Sequence, residues 1–225
     1  MTILITGGAG FIGSNMSALL LEKKEDFVIV DNLSNSDKSQ INKLNKNIKF
    51  FDYDICNYYL LESLFKKFKF NSVIHFAGLK SVNESIKKPN LYYMNNVFGS
   101  WVLINLITKY NIKHFIFSSS ATVYGKPKYL PINEIHPLSA INPYGQNKID
   151  IENMIINNNY FKDKCVTKIL RYFNPVGSYK GLIGEMLKDK PSNLMPYILS
   201  VAIKKNPFLE IFGNDYKTKD GTAIR

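Results

Sequence analysis

The sequence predicts an α/β protein built on a doubly wound parallel sheet. Two observations carry this. Short β-rich runs alternate with helix-length runs through about residue 175, the rhythm of a parallel sheet covered on both faces. The first β-rich run also opens directly into a glycine-rich turn. Right-handed crossovers between successive strands then distribute the helices over both faces.

The elements come in this order. TILIT (2–6) is a strand before glycines. FIGSNMSALLLEKK (11–24) places Ile12, Met16, Leu19 and Leu20 on one helical stripe. FVIVD (27–31) and IKFFDYDI (48–55) are the next strands, with LLESLFKKF (60–68) a helix after them. SVIHFAG (72–78) is a strand ending in small residues, and a helix covers much of 91–110. HFIFSSS (114–120) and TKILRYFN (167–174) are strands on either side of a further helix. That helix begins in NPYGQNK (142–148), where Asn142 is a good N-cap and Pro143 suits the first helical position. After residue 175 the rhythm is lost, and Pro191, Pro196 and Pro207 interrupt the C-terminal segment. The expected organisation is a Rossmann domain over 1–175 and the start of a second, incomplete substrate domain over 176–225.

The 225 residues are 45% hydrophobic, enough for one sizeable core. No apolar run approaches a membrane span, and MTILITGG lacks the pattern of a signal peptide. Cys56 and Cys165 stand in no motif and read as reduced thiols of a cytoplasmic protein. His75, His114 and His136 are scattered and give no metal-ligand spacing. The net charge of +11 comes from lysines spread along the chain, without an aromatic-basic cluster. A nucleic-acid partner is therefore not expected.

TGGAGFIG (6–13) carries the strongest local signal. Gly8, Gly10 and Gly13 satisfy G-x-G-x-x-G, and Gly7 adds a further spacing, in the strand–turn–helix context that the motif needs. Such glycines let the backbone approach a pyrophosphate seated on the helix N-terminus. Asp31 ends the second strand 18 residues after Gly13. An acid there suits the ribose hydroxyls of NAD and repels the 2′-phosphate of NADP. Asp54 and Ile55 close the third strand and FAGLK (76–80) follows the fourth, both at the carboxyl edge of the sheet.

At the same edge, SSSATVYG (118–125) ends the fifth strand, and Tyr144 and Lys148 lie at i and i+4 on the helix after it. With Ser120 they form a Ser…Tyr-x-x-x-Lys constellation. By itself the Tyr/Lys pair reads as a solvated surface pair, and three serines read as the plain end of a strand.

These segments, with DNLSNS, VIHFAGLKSVNES, LRYFNPVG, NLMPYI, IFGNDY and DGTAIR, resemble in collinear order the UDP-glucose 4-epimerases of the extended short-chain dehydrogenase/reductase family. The resemblance implies NAD contacts at Gly7, Gly10, Phe11, Ile12 and Gly13. It extends them over Asp31, Asn32, Leu33, Ser34, Asn35 and Ser36, and over Asp54 and Ile55. Phe76, Ala77, Gly78, Leu79, Lys80, Asn95, Lys148 and Phe173 complete that pocket. It implies Tyr144 and Lys148 as catalytic with Ser120 assisting. Ser120, Tyr144, Asn174, Asn193, Leu194, Phe212 and Arg225 would hold the UDP-sugar. The implied reaction interconverts UDP-galactose and UDP-glucose, NAD taking and returning the hydride at C4 while Tyr144 acts as base. It also implies a homodimer paired through helices at roughly 88–110 and 144–160.

A phenol has an ordinary pKa of about 10, so an ionised Tyr144 near neutrality must be favoured by roughly 4 kcal/mol. Lys148, the positive nicotinamide and the helix N-terminus are the expected sources. A 4,6-dehydratase would need an acid/base pair where this chain has Ala121 and Thr122. A related epimerase for UDP-N-acetylhexosamines stays open. Family members also continue well past DGTAIR, so a C-terminally truncated, catalytically impaired NAD-binding fragment is the other alternative.

Overall fold

The computed structural model describes residues 1–45, 47–185, 194–211 and 213–222. They fall into two compact units, Met1–Gly184 and Glu185–Arg225.

The first unit runs β1 (Thr2–Thr6), α1 (Phe11–Glu22), β2 (Asp26–Val30), α2 (Ser39–Leu44), β3 (Lys49–Phe51), α3 (Tyr58–Lys67), β4 (Phe70–His75). It continues with α4 (Val82–Lys87), α5 (Pro89–Tyr92), a π-helical turn (Tyr93–Phe98), α6 (Gly99–Lys109), β5 (His114–Ser120) and a 3-10 turn (Ala121–Tyr124). It closes with α7 (Pro143–Ile156), α8 (Asn159–Asp163), β6 (Val166–Tyr172) and a hairpin of β7 (Ser178–Tyr179) and β8 (Ile183–Gly184). In the second unit α9 spans Leu194–Ala202.

The sheet order is β3-β2-β1-β4-β5-β6, every pairing parallel. Strand order reverses between β1 and β4, the switch point where an open α/β sheet leaves a crevice at the carboxyl ends of its strands. The side-chain period of two divides the core between the two faces. Leu4, Val28 and Val30 join Phe115, Phe117, Leu103 and Ile151 in one cluster. Ile5, Phe27 and Ile29 join Leu20 and Ile41 in the other. The doubly wound fold expected from the alternation is thus present, and the elements lie close to where the pattern placed them.

Two elements differ. The third strand stops at Phe51, not at Ile55, because Asp54 Oδ1 accepts from the Cys56 backbone N–H at 2.8 Å and turns the chain. The helix expected over 91–110 is interrupted by the π-helical turn, which sits beside the switch-point loop. Single π turns of this kind are frequent at functional sites.

Candidate functional site

The glycine turn is shaped by close approaches. Gly7 has φ +72°, and a Cβ there would lie 2.4 Å from the Ala77 backbone nitrogen. A Cβ on Gly13 would lie 2.2 Å from the Gly7 carbonyl oxygen. The start of α1 is therefore pressed against the turn, and the turn against the loop after β4. The Gly10 side of the turn stays bare, since a Cβ there would meet only the Gly7 oxygen at 3.3 Å. This is a cradle whose backbone a pyrophosphate can approach, at the N-terminus of α1, where Phe11 and Ile12 begin the helix. The open Gly10 side and the N-terminus of α1 fit the pyrophosphate of a dinucleotide.

Asp31 leaves β2 with only 7% of its surface exposed. Oδ2 accepts from the Ala9 N–H at 2.9 Å, and Oδ1 accepts from the Leu33 N–H at 2.9 Å and the Ser36 hydroxyl at 2.7 Å. The carboxylate therefore ties the glycine turn to the 31–36 segment and keeps acceptor capacity beyond these three bonds. Leu33 is held at φ +57°, a conformation that a branched side chain adopts only when its surroundings impose it. Asn32 donates to Asp54 at 3.1 Å, and Asn35 donates to the Gly78 carbonyl at 3.3 Å. Ser34 N–H caps back onto Asn32. Ile55 turns its side chain into the core against Gly99, leaving only its backbone for a ligand.

Phe76, Ala77, Gly78, Leu79 and Lys80 follow β4 on the far side of the switch point. Asn96 holds this loop. Its Oδ1 accepts from the Leu79 N–H at 2.8 Å, and its Nδ2 donates to the Leu79 carbonyl at 2.9 Å. Asn95 donates to the Asn96 Oδ1 at 3.0 Å. Beneath lies a buried relay. Ser100 donates to the Asn96 carbonyl at 2.5 Å, so the 2.9 Å contact between Ser100 and His75 is donated by His75 Nε2. Nδ1 is then the acceptor for the Thr6 hydroxyl at 2.6 Å. This bonding assigns the tautomer and keeps the ring neutral; burial, with Lys148 nearby, pushes the His75 pKa down to about 3.

Ser120, Tyr144 and Lys148 converge. Asn142 caps α7 by accepting from the Gly145 N–H at 2.8 Å, and Pro143 takes the first helical position. Tyr144 and Lys148 lie on successive turns, the ammonium 5.8 Å from the phenol ring centre. Lys148 is only 5% exposed; its Nζ donates to the Ser118 carbonyl at 2.7 Å and lies 4.8 Å from the Phe117 ring centre. Nζ is also 4.0 Å from where a Gly78 side chain would begin, which brings it to the switch-point loop. Burial pulls the Lys148 pKa down to about 8, with Glu152 opposing. Burial raises the Tyr144 phenol above its ordinary value, and the Ser120 hydroxyl beside it works the other way.

Three residues of the environment escape sequence reading: Asn96, Glu152 and Arg171. Glu152 follows Lys148 by four, the spacing that links Tyr144 to Lys148, so periodicity alone held that signal. Phe173 and Asn174 lie just past β6, the Phe173 ring 6.3 Å from that of Tyr124. Leu194 opens α9 in the second unit. Asn193, Phe212 and Arg225 lie outside the described residues. Among the described residues no cluster suited to a metal ion is found, and no helix is long and apolar enough to cross a membrane.

The family model described as GDP-mannose 4,6 dehydratase matches residues 4–225. A UDP-glucose 4-epimerase of Dictyostelium discoideum is 49% identical over 99% of this chain and 66% of its own length. A UDP-glucose 4-epimerase structure from Stenotrophomonas maltophila, with NAD and a formylated UDP-arabinopyranose, superposes with a TM-score of 0.91 at 39% identity, covering 99% of this chain and 68% of that one. One from Bifidobacterium longum, with NAD+ and UDP, gives 0.89 at 43% identity, with 99% and 68% covered. The chain spans about two thirds of the length of these relatives. The parallel sheet agrees with this similarity, and the chain belongs to the UDP-glucose 4-epimerase family.

Proposed function

We propose that this chain carries the NAD site and catalytic residues of a UDP-hexose 4-epimerase acting between UDP-galactose and UDP-glucose. The observation that carries the reading is the meeting of Ser120, Tyr144 and Lys148 beside the switch-point loop and across from the glycine turn. In this reading residues 1–175 are the cofactor domain and 176–225 begin the substrate domain.

NAD, when bound, supplies the acceptor for the C4 hydrogen and its return to the opposite face. The chain's own groups do the rest. The glycine turn and the start of α1 would take the pyrophosphate, and Asp31 the adenosine ribose. Asp54, Ile55, the 76–80 loop, Asn95 and Phe173 would line the remainder. Tyr144 would take the proton of the 4-hydroxyl, with Ser120 hydrogen-bonded to the same oxygen. Its phenol is raised by burial, so ionising it needs a nearby positive charge. Lys148 is the chain's own source, charged below about pH 8. Asn174 and Leu194, with Asn193, Phe212 and Arg225, would hold the UDP-sugar.

The 4,6-dehydratase reading has the family model's description in its favour. Against it, the 3-10 turn after β5 presents Ala121 and Thr122, which offer no carboxylate for dehydration. A homodimer through the exposed Leu91, Tyr93, Met94 and Trp101 of the α5–α6 face belongs to the same proposal. So does a cytosolic location, which the free thiols Cys56 and Cys165 suit.

The test is conversion of UDP-galactose to UDP-glucose by the purified chain with NAD. Tyr144→Phe is expected to retain NAD and lose turnover by roughly 10²-fold or more, the usual scale for losing a general base. Full turnover by that variant would overturn the assignment of the base.

A further inference from the structure

Three consecutive serines end β5, and each engages a different residue of one face of α7. The Ser118 carbonyl accepts from Lys148 at 2.7 Å. Ser120 bears on Tyr144. Between them, Ser119 donates to Glu152 Oε1 at 2.5 Å. Tyr144, Lys148 and Glu152 are spaced by four, so the strand end and the helix face are matched over two turns.

Glu152 is 0% exposed and fully engaged. Arg171 of β6 holds it with Nη2 to Oε2 at 2.7 Å and with Nε to Oε1 and Oε2 at 3.1 and 3.2 Å. Arg171 sits directly across the ladder from Ser119. Its Nη1 donates to the Tyr124 hydroxyl at 3.1 Å and to the Glu134 carbonyl at 3.0 Å. The cluster therefore joins β5, β6, α7 and the segment after β5. A buried ion pair of this kind is weak evidence for stability, because apolar residues of similar volume often replace it without loss. What it does supply is a fixed rotation and height for α7 over β5.

Resting on the epimerase reading above, we propose that Glu152, tied to Ser119 and Arg171, is a positioning residue that sets α7 so that Tyr144 meets Ser120 and Lys148 reaches the Ser118 carbonyl. It touches no reacting atom.

Two variants separate positioning from bulk stability. Ser119→Ala keeps both charges and cuts only the tie to β5. Glu152→Leu/Arg171→Met removes the pair without stranding a charge. Both are expected to melt close to the wild type and to keep the KM for UDP-galactose within about threefold, while kcat falls by roughly tenfold in the first and more in the second, the scale of small misplacements of catalytic groups. A second readout needs no turnover: the Lys148 ammonium, followed by NMR with isotope-labelled lysine and assigned with Lys148→Ala. The charged and titratable groups facing it are Tyr144 and Glu152 on α7 and His75 on β4, with Arg171 of β6 behind Glu152. Ser119→Ala leaves all of these in place, so a shifted Lys148 resonance there reports altered geometry. An unchanged resonance in Ser119→Ala overturns the proposal, and so does an unchanged kcat where the wild type turns over. If the wild-type chain does not epimerise, the functional reading fails, and the Lys148 resonance still decides the positioning.

Discussion

At the residue scale, single atoms decide the site. Gly7 shows how little latitude exists. Alanine there would combine a left-handed backbone, costing roughly 1–2 kcal/mol, with a Cβ 2.4 Å from a backbone nitrogen. Gly7→Ala is expected to lose about 2 kcal/mol or more of stability, and to lose NAD affinity further, because the turn and the 76–80 loop must part. Urea unfolding and NAD titration measure the two effects; unchanged NAD affinity would show that the cradle tolerates the shift. Lys148 makes the complementary point. Its ammonium is held by one carbonyl and two aromatic rings in place of water, and burial makes it release its proton more readily than an exposed lysine.

At the scale of elements, α7 matters most because it carries Tyr144, Lys148 and Glu152 together. Its N-terminus is held by the Asn142 cap, and the first turn contains no acidic residue. Asn142→Ala is expected to cost about 1 kcal/mol and to lower the melting temperature by a few degrees. Asn142→Ser should restore most of it, which thermal unfolding of the three proteins would check. The π-helical turn before α6 has a comparable role. It brings Asn96 onto Leu79 and Ser100 onto His75 within one continuous run of helix.

For the molecule as a whole, the buried imidazole predicts the direction of acid sensitivity. His75 has a folded pKa of about 3 against an ordinary value of 6.5. Above pH 6.5 it is neutral in both states and costs nothing. As pH falls below 6.5 the unfolded chain takes up a proton that the folded chain refuses, so stability declines until about pH 3. Between pH 7.5 and pH 5 the expected loss from this one group is about 2 kcal/mol. His75→Gln should be less stable at pH 7.5 yet show a flatter decline, read from urea unfolding at the two pH values. An equally steep decline in the variant would move the cause elsewhere.

Much of this was legible in the chain itself, because it depends on local chemistry. The alternation of strand and helix, the glycine turn, the Asn-Pro start of α7 and the Tyr-x-x-x-Lys spacing are all short-range patterns, and each appears where the pattern put it. The end of β3 was misplaced because Asp54 competes for its own backbone, which a β-rich run conceals. Asn96, Glu152 and Arg171 were not legible, since the partners that fix them are 17 to 47 residues away. Nothing in an asparagine or a glutamate announces a backbone carbonyl or a guanidinium that only folding brings near. The sequence by itself thus determined the layers, the glycine turn and the spacing that brings Ser120, Tyr144 and Lys148 together. The tertiary structure alone decided what holds them in place, because burial and long-range pairing, unlike periodicity, exist only once the strands have come together.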